Sequence, residues 1–163
     1  RDGTLGATLA RAREAGVVAM ITIGTAPDDW VLYRGIANEH HGFVHYTVGL
    51  HPCSVDANWS AAVAQIEKFW SDPAPRPVAL GECGLDRFHL PKEAAQAEMT
   101  FAWQRAAFAA QLEIARRLAC PVSRWLTQVA SLGVASCSTV FPRARPRWRK
   151  SRGAAASGRS LAS

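Results

Sequence analysis

The sequence has no C-x-x-C pair, no histidine after His89 and no acidic residue after Glu113. It also has no apolar run of about 18 residues, so a membrane-spanning helix is not expected. The four cysteines, Cys53, Cys83, Cys120 and Cys137, are widely scattered. That spacing argues against a zinc knuckle or ribbon. Their apolar surroundings predict reduced, mostly buried thiols in a cytoplasmic protein. The start, Arg1-Asp2-Gly3-Thr4, carries no apolar signal-peptide core. It is not a methionine, and it leads straight into a helical pattern with no strand before it. A missing upstream part is therefore expected. No Gly-rich phosphate-binding fingerprint follows any strand-like run, which weakens a nucleotide-binding reading.

What is present is globular in composition. The 163 residues are 48% hydrophobic and 20% charged, unlike a disordered chain. The net charge of +6 is unevenly placed. All 13 acids lie at or before Glu113, whereas residues 121–163 hold 8 of the 19 Lys/Arg. The basic character thus belongs to the last quarter of the chain.

Residues 1–123 alternate helix-like and strand-like patterns. A helix over about 3–15, with Leu5, Leu9 and Ala12 in phase, stops at Gly16. Val17–Ile23 reads as a buried strand. Asp28 and Asp29 start a helix that runs to about His40. Phe43–Leu50 is the next strand, and Asn58 caps a helix carrying Ala62, Ile66, Phe69 and Trp70. Pro73, Pro75 and Pro77 end it. Val78-Ala79-Leu80 is a short strand, and a long helix over about 92–118 presents Phe101, Phe108, Leu112, Ala115 and Leu118. Cys120-Pro121-Val122 begins another strand. Crossover helices between strands impose parallel pairing. The pattern predicts an α/β fold, either a doubly wound sheet or a (β/α) barrel. Residues 124–163 lose this grammar, are rich in Arg, Ser, Ala and Pro, and are expected to form a disordered tail.

Functional groups in such folds gather at the C-terminal ends of the parallel strands. His51 follows one strand, Glu82 another, and Asp86 lies four residues beyond Glu82. A carboxylate beside a buried strand end needs a cation or several donors. Glu82 therefore reads equally well as a structural ion pair or loop cap and as a metal or catalytic group. His51 reads as a packed or loop-capping residue or as a ligand. His40, His41 and His45 read as surface groups. His89 is a loop residue within reach of a substrate. Cys53 has no base partner in the sequence and is not read as a nucleophile.

Two motifs alter this balance. Val48-Gly49-Leu50-His51-Pro52, followed about thirty residues later by Ala79-Leu80-Gly81-Glu82-Cys83-Gly84-Leu85-Asp86, resembles the TatD family of metal-dependent hydrolases. The following helix, with Gln96, Phe108-Ala109-Ala110-Gln111-Leu112 and Cys120-Pro121-Val122, is similar as well. So are Ala10-Arg11-Ala12-Arg13-Glu14-Ala15-Gly16-Val17 and Ile23-Gly24-Thr25. The resemblance covers about residues 3–123. It implies part of a (β/α)8 TIM barrel and one or two divalent ions (Mg, Mn or Zn). It implies hydrolysis of phosphodiester bonds in DNA or a related substrate by metal-activated water. Glu82 matches the metal-binding glutamate. His51 matches a histidine at the mouth of the site, and Asp86 matches a supporting loop aspartate.

The sequence also departs from that family. The H-x-H pair of the first strand is not in this sequence. Where the family has a histidine after the strand begun by Pro121-Val122-Ser123, this chain reads Arg124-Trp125. The terminal aspartate ligand has no counterpart. Of the implied ligands Glu82 alone is clearly kept, so the 163 residues are expected to show negligible nuclease activity. A reading-frame shift near codon 123 would account for the break and the basic segment together. Two other readings stay open: nucleic-acid binding through the basic tail, and a barrel hydrolase acting on amides or lactones.

Overall fold

The computed structural model describes residues 4–71 and 75–127. Helix α1 spans Leu5–Glu14, strand β1 Met20–Thr22, helix α2 Pro27–Glu39 and strand β2 Val44–Val48. A single 3₁₀ turn, Pro52–Ser54, precedes α3 (Trp59–Val63) and α4 (Lys68–Ser71). Strand β3 (Ala79–Asp86), helix α5 (Ala94–Leu118) and strand β4 (Val122–Thr127) follow. The four strands are all parallel and lie in the order β1-β2-β3-β4.

That order separates the two architectures the sequence left open. A doubly wound sheet reverses its strand order at a switch point. Here each strand adds beside the last, the winding of a barrel, so the described residues form part of a (β/α) barrel. One sheet face packs on the helices: Tyr46, Val48 and Leu80 meet Trp30, Ala37, Ala107 and Ile114 in one buried cluster. Among the described residues, no helix covers the opposite face. Ile21 and Ile23 are exposed and, with Thr47, Val78, Ala79, Pro121 and Ser123, line a cavity of about 280 Å³.

Local chemistry moves several boundaries. The strand expected from Val17 begins only at Met20. Val17 is used instead to close α1: its N–H bonds the Ala12 carbonyl, the Gly16 N–H bonds that of Arg13, and Gly16 takes φ +85°. This is the Schellman closure of a helix. Helix α2 starts at Pro27, and the Asp29 carboxylate reaches back to the N–H groups of Thr25 and Ala26. The single helix expected after Asn58 is instead two short ones. Between them the bonds tighten to an i→i+3 pattern (Ile66 to Val63, Phe69 to Ile66). That keeps Val63, Ile66 and Phe69 buried at three-residue spacing. Asn58 precedes α3 without a side-chain cap.

Helix α5 corrects another expectation. Leu112 is 41% exposed, while the buried face is Gln104, Ala107, Gln111, Ile114 and Ala115. The face turned to the sheet thus carries two glutamines in place of part of the expected apolar stripe. Strand β4 continues through Arg124 to Thr127 beside β3, beyond the boundary expected at residue 123. The expected basic tail lies, from residue 128 on, outside the described residues. Cys137 lies there too. Of the other cysteines Cys83 is buried, Cys120 is intermediate and Cys53 is exposed, so the expectation of mostly buried thiols fails at Cys53. The loop after β2 places that residue at the surface.

Candidate functional site

The C-terminal ends of β1 and β2 meet β3 part-way along its length through backbone contacts. The Glu82 N–H donates to the Gly24 carbonyl at 2.8 Å, and the His51 N–H donates to the Thr25 carbonyl at 2.8 Å. Glu82 and His51 are therefore tied to consecutive residues of one strand end. Gly49 and Gly81 make this convergence possible. A Cβ on Gly49 would stand 2.5 Å from the Gly81 Cα, inside any permissible contact. A Cβ on Gly81 would collide with the Ser123 carbonyl. The Gly81–Glu82 peptide is cis.

Glu82 is half-buried at this rim. Among the described residues no side chain or backbone N–H hydrogen-bonds or ion-pairs with its carboxylate. His51 lies within range of its charge. Burial is the largest influence on His51 and lowers its pKa from the usual 6.5, while the negative charges of Glu82 and Asp86 act in the other direction. The His51 Nδ1 accepts the Cys53 N–H at 3.2 Å. A neutral imidazole in this arrangement carries its proton on Nε2.

Asp86 is buried, at 1% exposure, and its oxygens are engaged. Oδ1 accepts the N–H groups of Phe88 (2.7 Å) and His89 (3.3 Å). Oδ2 lies 2.7 Å from His89 Nδ1 and accepts the Cys53 thiol at 3.1 Å. The Cys53 thiol is pushed up to about 11, first by burial and then by its bond to Asp86. The raised pKa favours the protonated form, which donates to Asp86.

Two residues that sequence reasoning did not single out hold these loops in place. Gln104 accepts the Asp86 N–H at 2.9 Å and donates to the Pro52 carbonyl at 3.2 Å. Gln111 accepts the Leu50 N–H at 2.8 Å and donates to the Leu50 carbonyl at 3.1 Å. They stand seven residues, about two turns, apart on one face of α5. The available signal was a pair of amides on a helix face that otherwise buries apolar groups.

The family model described as "TatD related DNase" matches residues 2–124. The chain belongs to the TatD family. It is 38% identical over 116 residues to the 3'-5' ssDNA/RNA exonuclease TatD of Rahnella sp. (strain Y9602), covering 69% of this chain and 39% of the relative. It is 38% identical over 117 residues to the protein of the same name from Klebsiella pneumoniae (strain 342), covering 70% and 40%. The protein of that name from Yersinia pseudotuberculosis serotype O:3 (strain YPIII) is 36% identical over 115 residues, covering 69% and 40%. The chain thus spans about 40% of the length of these curated relatives. No helix among the described residues is long and apolar enough to cross a membrane.

Proposed function

We propose that this TatD chain carries part of a divalent-metal phosphodiesterase centre, with Glu82 as one ligand and a nucleic-acid strand as substrate. The single observation that carries this reading is the Glu82 carboxylate, half-buried at the strand rim without a donor from the described residues. Such a group is costly to desolvate alone and is satisfied by a cation. A divalent ion there would supply the positive charge that polarises a phosphoryl oxygen and acidifies water. One carboxylate is not a complete site, since metal centres of this kind need three or four protein ligands. The remaining ligands are not supplied by a cluster around Glu82 among the described residues.

His51 fits a phosphate contact better than a metal ligand. Its Nδ1 accepts the Cys53 N–H, so the neutral ring carries its proton on Nε2, a donor of the type that contacts a non-bridging phosphate oxygen. Asp86 acts as a positioning residue, since both its oxygens organise the loop that follows β3. The relatives' names point to single-stranded DNA or RNA as the substrate class. A cytoplasmic setting belongs to the same proposal. So does a division into a barrel part and a basic segment, which β4 places after Thr127 rather than at residue 123.

The test is Mn²⁺ binding and single-strand degradation by the full chain and by Glu82→Gln. The expected result is weak Mn²⁺ binding that Glu82→Gln removes, with negligible degradation by either protein. Mn²⁺ binding unchanged in Glu82→Gln would remove Glu82 from the centre. Robust degradation that Glu82→Gln abolishes would overturn the expected inactivity while keeping the centre.

A further inference from the structure

A second group of metal-ligating side chains lies beside the Glu82 rim: Cys53, Asp86 and His89. Their Sγ, Oδ2 and Nδ1 atoms form a triangle with sides of 3.1 Å (S to O), 3.7 Å (S to N) and 2.7 Å (N to O). We propose that these three atoms form a transition-metal site for Zn²⁺, separate from the Glu82 centre, with its fourth position open to solvent.

The dimensions support this. Bond lengths of about 2.3 Å to sulfur and 2.0–2.2 Å to nitrogen or oxygen set tetrahedral edges of about 3.3–3.7 Å. The sulfur–nitrogen edge already has that length. The two edges to Oδ2 are shorter because each spans a hydrogen bond. Replacing those protons with an ion requires Oδ2 to recede by roughly half an ångström.

The donors are also held in place. Gln104 bridges the Pro52 carbonyl and the Asp86 N–H, and so fixes the separation of the 3₁₀ turn that carries Cys53 from the end of β3 that carries Asp86 and leads to His89. Asp86 Oδ1 is committed to two backbone N–H groups, which turns Oδ2 toward Cys53 and His89. The Phe88 ring meets the His89 imidazole edge-on at 4.9 Å. Partners of this kind orient ligands and raise metal affinity. Asp86 is the buried anchor, whereas Cys53 and His89 are exposed, so an ion can enter.

The charges and protons balance. A thiolate and a carboxylate neutralise a dication. The thiol proton leaves to solvent, and the imidazole proton moves from Nδ1 to Nε2. A sulfur, nitrogen and oxygen set favours zinc over magnesium or calcium. The site does not depend on the role proposed for Glu82.

The experiment titrates the metal-free full chain with Co²⁺ and follows the sulfur-to-cobalt charge-transfer absorption, then displaces it with Zn²⁺. One tightly bound ion per chain is expected, with visible bands of tetrahedral cobalt. Cys53→Ser should abolish the charge-transfer band. His89→Ala should weaken binding by at least about tenfold, and Glu82→Gln should leave the band intact. The two ligand variants alter exposed side chains, and circular dichroism checks that they fold. Absence of the band in the parent chain would overturn the proposal. So would a band that survives in Cys53→Ser, one unaffected by His89→Ala, or one lost in Glu82→Gln.

Discussion

Gln111, on the buried face of α5, exchanges two hydrogen bonds with the backbone of Leu50: its Oε1 accepts the N–H at 2.8 Å and its Nε2 donates to the carbonyl at 3.1 Å. Gln111 is 1% exposed and Leu50 2%. The peptide groups of the chain just after β2 therefore find their partners in a helix sixty-one residues away. Without that amide, a buried donor and a buried acceptor would both be unpaired. Each such group costs about 1–3 kcal/mol.

Gln111→Leu should accordingly destabilise the protein by about 2–5 kcal/mol, measured as a shift in the urea midpoint at unchanged slope. The control is Gln96→Leu on the exposed surface of the same helix, expected to stay within about 0.5 kcal/mol. Equal effects from the two substitutions would show that the buried amide contributes nothing particular.

These amides also show what the sequence could and could not convey. The parallel α/β alternation was legible because each strand and helix carries its own period. The place of His51 just after a strand was legible because it directly follows a strand-like run, whereas β3 runs on past Glu82 to Asp86. Strand order was not, since it depends on pairing between residues far apart; Thr47 beside Ala79 is one such pair. The role of Gln104 was hidden for the same reason. An amide on a helix reads as solvated until the loop carbonyl of Pro52 and the N–H of Asp86 are brought to it. Cys53 lacked a base partner in sequence, yet the fold sets it against Asp86, thirty-three residues on.

The glycines at the rim yield a second prediction. Gly49→Ala would place a methyl 2.5 Å from the Gly81 carbonyl carbon and Cα. Both obstacles are backbone, which cannot swing aside as a side chain can. A loss of more than about 2 kcal/mol is expected, as for other overpacked positions. Gly35→Ala, in an exposed part of α2 with nothing within 4 Å of the new atom, should instead stabilise by about 0.5–1 kcal/mol. Thermal unfolding of the two variants checks the opposite signs.

His51 makes stability depend on pH. Burial lowers its pKa below the usual 6.5, so the unfolded chain binds a proton at a pH where the folded chain does not. The unfolded state then holds more protons, and stability rises with pH through that window. The contribution is complete above 6.5 and fades as pH falls from there toward the lower folded-state value. Urea midpoints measured between about pH 5 and pH 8 should fall on the acid side for the parent chain. His51→Asn should flatten that dependence. An identical slope in both proteins would mean that another group carries it.

Cys53 supplies the last prediction, because its exposure and its reactivity point in opposite directions. An exposed thiol is ordinarily the first to be alkylated. Here burial of the sulfur, and then its hydrogen bond to Asp86, push its pKa from 9.0 to about 11. A thiol pKa of about 11 in place of 9.0 leaves about a hundredfold less thiolate at a given pH, and thiolate is the reactive species. Iodoacetamide should therefore label Cys53 on the order of a hundred times more slowly in the folded chain than in urea, as followed by peptide mass mapping. Asp86→Asn removes the negative charge that disfavours thiolate, so its folded-state rate should rise. The neighbouring His89 Nδ1, 3.7 Å from the sulfur, makes the measurement decisive. Were that nitrogen to withdraw the thiol proton, Cys53 would react faster folded than unfolded, and the donor role assigned to it toward Asp86 would be wrong.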